Sequence, residues 1–187
     1  MDTFEVVAAV LGLVYIFLEY KANPWMWLFS ILMSMLYAYL FFSRMLYANF
    51  ALSIYNVGVS IYGGYCWIKW RRVVSDEGAI RSFPSHRWPF LVGTLVLLVP
   101  LLAWVLWVLG ESGSPLLDGI TASLSVVGIW MLAKKYYQQW FCWIVADILY
   151  VVMFLQNGMW PSMLLYAVYV VIAVAGTVHW RKQMDKR

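Results

Sequence analysis

Apolar residues recur along the chain in seven stretches, near residues 5–20, 24–43, 47–68, 89–109, 116–133, 139–156 and 160–179. Each is close to the roughly 17–25 residues that carry an α-helix through about 30 Å of hydrocarbon. Polar positions gather between the stretches. The longest polar connection, Lys69 to Trp88, is a basic loop too short for a folded domain. The pattern predicts an all-α polytopic membrane protein, with seven transmembrane helices occupying residues 1–187 as a single domain.

Composition agrees with that pattern. Hydrophobic residues make up 64% of the chain and charged residues 12%, too few to give a water-compatible surface to so much apolar sequence. The start, Met1-Asp2-Thr3-Phe4-Glu5, lacks a basic region and a small-residue cleavage site, so the first stretch is expected to stay in the protein. Cys66 and Cys142 have no metal-ligand spacing, and no GxxxxGK[ST] loop is present. No cofactor, metal site or ATP-driven pumping is therefore expected.

The basic residues set an orientation. Of the 13 Lys and Arg residues, only Arg44 lies on one side of a seven-span path; Lys21, the 69–87 group, Lys134, Lys135 and the C-terminal cluster lie on the other. Cytoplasmic loops retain Lys and Arg, so the N-terminus is expected outside and the C-terminus in the cytoplasm, in a bacterial inner membrane. The net charge of +4 then reports topology and not nucleic-acid binding.

Sliding the chain against itself by 113 residues places Trp27 on Trp140, Tyr37 on Tyr150, Gly63 on Gly176, Trp67 on Trp180, Lys21 on Lys134 and Lys69 on Lys182 without a gap. Each half holds three stretches, and the stretch at 89–109 stands alone between them. The halves are expected as three-helix bundles over residues 5–70 and 116–180, joined by a linker helix at 89–110. Three crossings reverse the chain, so one extra crossing gives both bundles the same orientation: a 3-1-3 parallel repeat. Such repeats place a substrate site near midplane and alternate its access by rocking. The linker stretch carries no ionisable group, as suits a helix facing lipid and neighbours.

Candidate binding residues follow from helical spacing. Trp140, Trp143, Asp147, Tyr150 and Phe154 recur at steps of three and four and share one stripe of the sixth helix. Asp147 falls near mid-bilayer, where a carboxylate faces a partner, a water-filled cavity or a ligand. The rings beside it suit a planar, cationic or strongly polar organic substrate; the alternative is an Asp bonded to neighbouring helices among packing tryptophans. At the repeat offset the second helix offers Ser34 opposite Asp147 and Tyr37 opposite Tyr150. The third adds Ser53, Asn56, Ser60 and Tyr62; the seventh adds Tyr166 and Tyr169. Glu5 and Asp118 are expected to cap equivalent helices. Glu19 is expected to be solvated near Lys21, which leaves Asp147 as the one buried carboxylate and argues against proton coupling.

Trp27 to Tyr39, Ser60 to Trp67, Trp140 to Tyr150 and Ala173 to Trp180 together resemble the PnuC nicotinamide riboside transporter family, across nearly the whole chain. The resemblance implies a 3-1-3 fold like that of the SWEET sugar transporters, a homotrimer, and facilitated diffusion of a small vitamin precursor through the lipid bilayer, with no enzymatic activity. It carries the Trp140 and Trp143 pair into the site, along with Asp147, Asn56, Tyr62 and Tyr169. Related members take thiamine or riboflavin precursors, and Ser53 and Asn56 depart from the nicotinamide riboside pattern. Nicotinamide riboside is the expected substrate and thiamine or another vitamin the alternative, followed by a non-transporting receptor or an embedded enzyme.

Overall fold

Every predicted stretch is helical in the computed structural model, which describes residues 3–72, 80–110, 112–156, 158 and 160–185, without the side chains of 3–10, 70–72, 161 and 162. The helices are α1 (Thr3–Tyr20), α2 (Met26–Ser43), α3 (Tyr47–Arg72), α4 (Trp88–Leu109), α5 (Pro115–Ala133), α6 (Gln139–Gln156) and α7 (Trp160–Asp185), with a 3₁₀ turn at Ser85–Arg87. Helices α3 and α7 run past their apolar limits because Lys and Arg are good helix formers and extend both into the polar region. Pro115 opens α5 at a position that needs no N–H. Asp118 lies in that first turn, near the positive end of the helix dipole, and accepts a hydrogen bond from the Ser112 hydroxyl. Asp118 thus sits where the helix dipole favours a negative charge, but among the described residues no side chain makes a cap hydrogen bond to this helix; Glu5 lies outside the described side chains.

Five helices, α2 and α4 to α7, are long and apolar enough to cross a bilayer. Helix α3 has the length, at 26 residues, but Asn49, Ser53, Asn56 and Ser60 dilute its hydropathy. The Leu11–Tyr20 part of α1 is apolar over a shorter length.

The chain divides into two compact units, Met1–Ala79 and Ile80–Arg187. In the first, α2 packs against both α1 and α3. In the second, α6 packs against both α5 and α7, and α4 packs along α5. The α4–α5 contact is close at Gly119, where a β-carbon would stand 2.8 Å from the backbone nitrogen of Ala103. Phe90, Leu97, Trp104 and Trp107 of α4 remain exposed, as expected of a helix with one face toward lipid.

The 113-residue repeat reaches the backbone. Bounds of α2 and α3, moved by that offset, coincide with those of α6 and α7. At the first turn, Ala22 N–H donates to Glu19 O at 2.9 Å and Asn23 N–H to Leu18 O at 2.9 Å; their counterparts are Lys135 to Leu132 at 2.9 Å and Tyr136 to Met131 at 3.0 Å. Ala22 and Lys135 both take positive φ, 49° and 57°, and Met45 and Gly158 do the same at 58° and 67°. Three of these four carry a β-carbon in a region that favours glycine, so the surrounding bonds hold the turn against local strain.

Paired indoles then tie the helices of each half. Trp27 meets Trp67 edge-on at 5.7 Å and Trp140 meets Trp180 edge-on at 5.8 Å, an arrangement worth about 0.5–1.5 kcal/mol beyond the area it buries. Trp27 lies over Gly63 and Trp140 over Gly176, so close that a β-carbon would fall 2.4 Å and 2.6 Å from the rings. Only glycine lets α3 and α7 approach these indoles.

The second unit adds a contact outside the repeat. Arg81 and Tyr136 form a parallel β-bridge, with Arg81 N–H to Lys135 O at 3.0 Å and Tyr137 N–H to Arg81 O at 3.1 Å. Gln138 accepts from Phe83 N–H at 2.9 Å and donates to Ser82 Oγ at 2.7 Å. Phe83 is buried, edge-on to Trp88, Trp130 and Tyr136. The segment before α4 is thereby latched to the α5–α6 turn.

Candidate functional site

Helical periodicity brings Trp143, Asp147, Tyr150 and Phe154 onto the inner side of α6 in the second unit. Asp147 is 7% exposed, and among the described residues no hydrogen bond or ion pair reaches its carboxylate. One turn earlier, Trp143 packs against α5 at Gly128 and holds an indole N–H that is buried without an acceptor. One donor and one acceptor therefore stand unsatisfied a helical turn apart. The indole N–H groups of Trp27 and Trp140 are likewise buried without an acceptor, so what singles out this turn is the carboxylate beside the indole.

Aromatic rings wall the next turn. The Tyr150 hydroxyl is hydrogen-bonded to the side chain of Thr121 on α5, whose own hydroxyl donates to Asp118 O at 3.1 Å. The Tyr150 ring lies 4.7 Å from Tyr166 and stacks on Phe154 at 6.1 Å, with Tyr166 edge-on to Tyr169 at 5.6 Å. Thr121 is a member that periodicity on α6 did not point to; its signal is the run of hydroxyls Thr121, Ser123 and Ser125 along α5.

Trp140 differs from its neighbours on the stripe. It is fully buried, enclosed by Trp180 and Gly176, and Trp27 repeats the arrangement in the first unit. A contact made in both halves by the same residue types has a packing function. Its indole N–H, like that of Trp27, has no acceptor among the described residues.

In the first unit Ser34 is buried on α2 and Tyr37 stacks on Phe41 at 5.8 Å, matching the Tyr150–Phe154 stack. Around Tyr37 the repeat puts Ser53 and Asn56 where the second unit has Tyr166 and Tyr169. Ser53 donates back to Asn49 O at 2.9 Å, within its own helix. Ser30 and Ser60 join α2 to α3 through a 2.7 Å hydroxyl pair, at positions held by Trp143 and Ala173 in the second unit. Tyr62 is 44% exposed and lies off the buried stripe of α3. The two halves thus share a backbone but not a chemistry: hydroxyls and an amide in one, rings and a carboxylate in the other.

The expectation of a solvated Glu19 does not hold. Glu19 is 2% exposed and hydrogen-bonded to Tyr15 one turn earlier on α1. Register explains the burial, since its repeat counterpart Leu132 is fully buried too. Asp147 is therefore not the sole buried carboxylate; of the two among the described residues, it is the one without a hydrogen-bond partner.

A family model described as nicotinamide mononucleotide transporter matches residues 2–182. The chain belongs to this family. Among its relatives, the nicotinamide riboside transporter PnuC of Neisseria mucosa is 29% identical over 96% of this chain and 72% of its own length. The nicotinamide riboside transporter PnuC of Escherichia coli is 24% identical over 100% of this chain and 88% of its own. The crystal structure of the vitamin B3 transporter PnuC superposes with a TM-score of 0.76 at 25% identity, covering 98% of this chain and 82% of that one. The family member described here is accordingly a multi-pass membrane transporter and not an enzyme.

Proposed function

We propose that the chain carries nicotinamide riboside across the bacterial inner membrane by facilitated diffusion with alternating access. The observation that carries this reading is Asp147, a buried carboxylate with no hydrogen-bond partner, beside the unpaired indole N–H of Trp143 and the ring of Tyr150. A pyridinium ring satisfies both the negative charge and the aromatic faces, and ribose hydroxyls supply hydrogen-bond partners. The family model names the mononucleotide, whereas the relatives are named for the riboside. The residues favour the riboside: a phosphate dianion beside Asp147 would be repelled, and no cation lies on the α6 stripe to offset it.

Trp143, Asp147, Tyr150 and Tyr169 are the proposed contacts of the second unit, with Trp140 holding α7 behind them. Ser34, Tyr37 and Asn56 are proposed for the first unit on repeat register, and Tyr62 on family resemblance alone. An outside N-terminus, a cytoplasmic C-terminus and a homotrimer complete the proposal; basic-residue placement supports the first two and family resemblance the third.

Counterflow in proteoliposomes tests it, with nicotinamide riboside, nicotinamide mononucleotide, thiamine and riboflavin compared side by side. Exchange of labelled riboside alone is expected. Exchange of thiamine in preference would keep the transporter and replace its substrate, while binding without flux would make the chain a receptor.

A further inference from the structure

A concave surface lies in the first unit, on helices that carry no residue of the Asp147 stripe. It is an open groove of about 600 Å³ running along α2 and α3, walled by Trp25, Leu28, Ile31, Ile61, Tyr65 and Ile68. The floor is closed by Trp27 and by Gly64, whose missing side chain leaves the depth. Trp25, Leu28, Ile61, Tyr65 and Ile68 are all exposed on its rim.

Length and charge define what the groove accepts. Lys69 follows Ile68 at its mouth, with the ammonium 5.9 Å from the Tyr65 ring centroid. From Lys69 to Ile61 is eight residues of helix, about 12 Å, close to the roughly 15 Å half-thickness of a hydrocarbon core. Trp25 and Tyr65, at the same end, are the residue types that settle at the headgroup level. The groove thus starts at a headgroup depth beside a positive charge, on the side that carries the basic loops, and continues as an apolar channel about one acyl chain deep. The surface is not a product of the duplication: Trp25 becomes Gln138, Tyr65 becomes Val178 and Ile68 becomes Arg181 in the second half, and Gln138 is committed to Ser82 and Phe83.

We propose that this groove retains an anionic phospholipid, with one acyl chain between α2 and α3 and the phosphate held by Lys69. Charge complementarity selects the occupant, because basic grooves on the cytoplasmic side of transmembrane helices hold acidic headgroups whereas a zwitterion gains little there. The site is independent of the riboside reading and uses none of its residues.

Native mass spectrometry of the purified full chain tests it, using phosphatidylglycerol and phosphatidylcholine with identical palmitoyl and oleoyl chains. Phosphatidylglycerol is expected to be retained about fivefold better, the effect of one lysine at an anionic surface. Lys69→Gln should bring its retention down to that of phosphatidylcholine, and Ile61→Trp, which fills the groove from an exposed wall, should lower both. Equal retention of the two lipids by the unaltered chain overturns the proposal, as does phosphatidylglycerol retention unchanged in both variants. Dissociation of an assembly into single chains by Ile61→Trp, with lipid retention intact, would show instead that a second copy covers the groove.

Discussion

Gly176 lies directly beneath Trp140, so that a β-carbon at residue 176 would stand 2.6 Å from the indole Cε2. Gly63 stands in the same relation to Trp27. These contacts are backbone against ring, and neither partner has a flexible end with which to give way.

Gly176→Ala is therefore expected to cost about 1–3 kcal/mol through overpacking, and Gly63→Ala a similar amount. Scanning fluorimetry in detergent should show both melting several degrees lower, with Trp140→Phe restoring part of the Gly176→Ala loss. Gly58→Ala, where nothing lies within 4 Å of the added carbon, should leave the melting temperature unchanged or slightly raised.

Asp147→Asn should weaken nicotinamide riboside binding by at least about tenfold, the value of a hydrogen bond or contact to a charged group. Trp143→Ala should do the same by removing both a ring face and a donor. Tyr150→Phe, which loses only the bond to Thr121, is expected to cost about fivefold. Isothermal titration and uptake measure all three; Trp104→Ala on the exposed face of α4 is the control, and equal loss there would refute the assignment.

Breaking one member of the Ser30–Ser60 pair strands the other hydroxyl in the α2–α3 interface. Ser30→Ala and Ser60→Ala should each destabilise by about 1–2 kcal/mol, whereas the double variant should cost less than the two together. An additive result in a thermal-shift cycle would show that the hydroxyls act separately.

Gln138→Leu removes the acceptor of Phe83 N–H and the donor to Ser82 at once. Trypsin should then cut after Arg81 or Arg87 markedly faster than in the unaltered chain, because cleavage needs the segment to leave the α5–α6 turn. Unchanged digestion would mean that the β-bridge and the Phe83 packing hold the latch alone.

The helices were legible because hydrophobic length and a repeated register are both carried by single residues. Seven stretches became seven described helices, and the offset that aligns Trp27 with Trp140 also aligns the turn bonds at Ala22 and Lys135. The α6 stripe was legible for the same reason, being local in sequence. What depends on contact between distant residues was not: the Tyr150–Thr121 bond, the enclosure of Trp140 and the docking of Gln138 onto residues 82 and 83 all join separate helices or loops. Glu19 was misjudged because its neighbour Lys21 suggested water, while burial is set by the helix face it occupies.

The matched turns at Ala22 and Lys135 make the halves interchangeable building blocks. A graft of residues 130–141 in place of 17–28 would change nearly every side chain while asking for no new bend, since donor and recipient already follow the same path. Ancestry by tandem duplication has left splice points at which the two copies can still be exchanged, and chimeras cut there would assign each chemical difference between the halves to its effect.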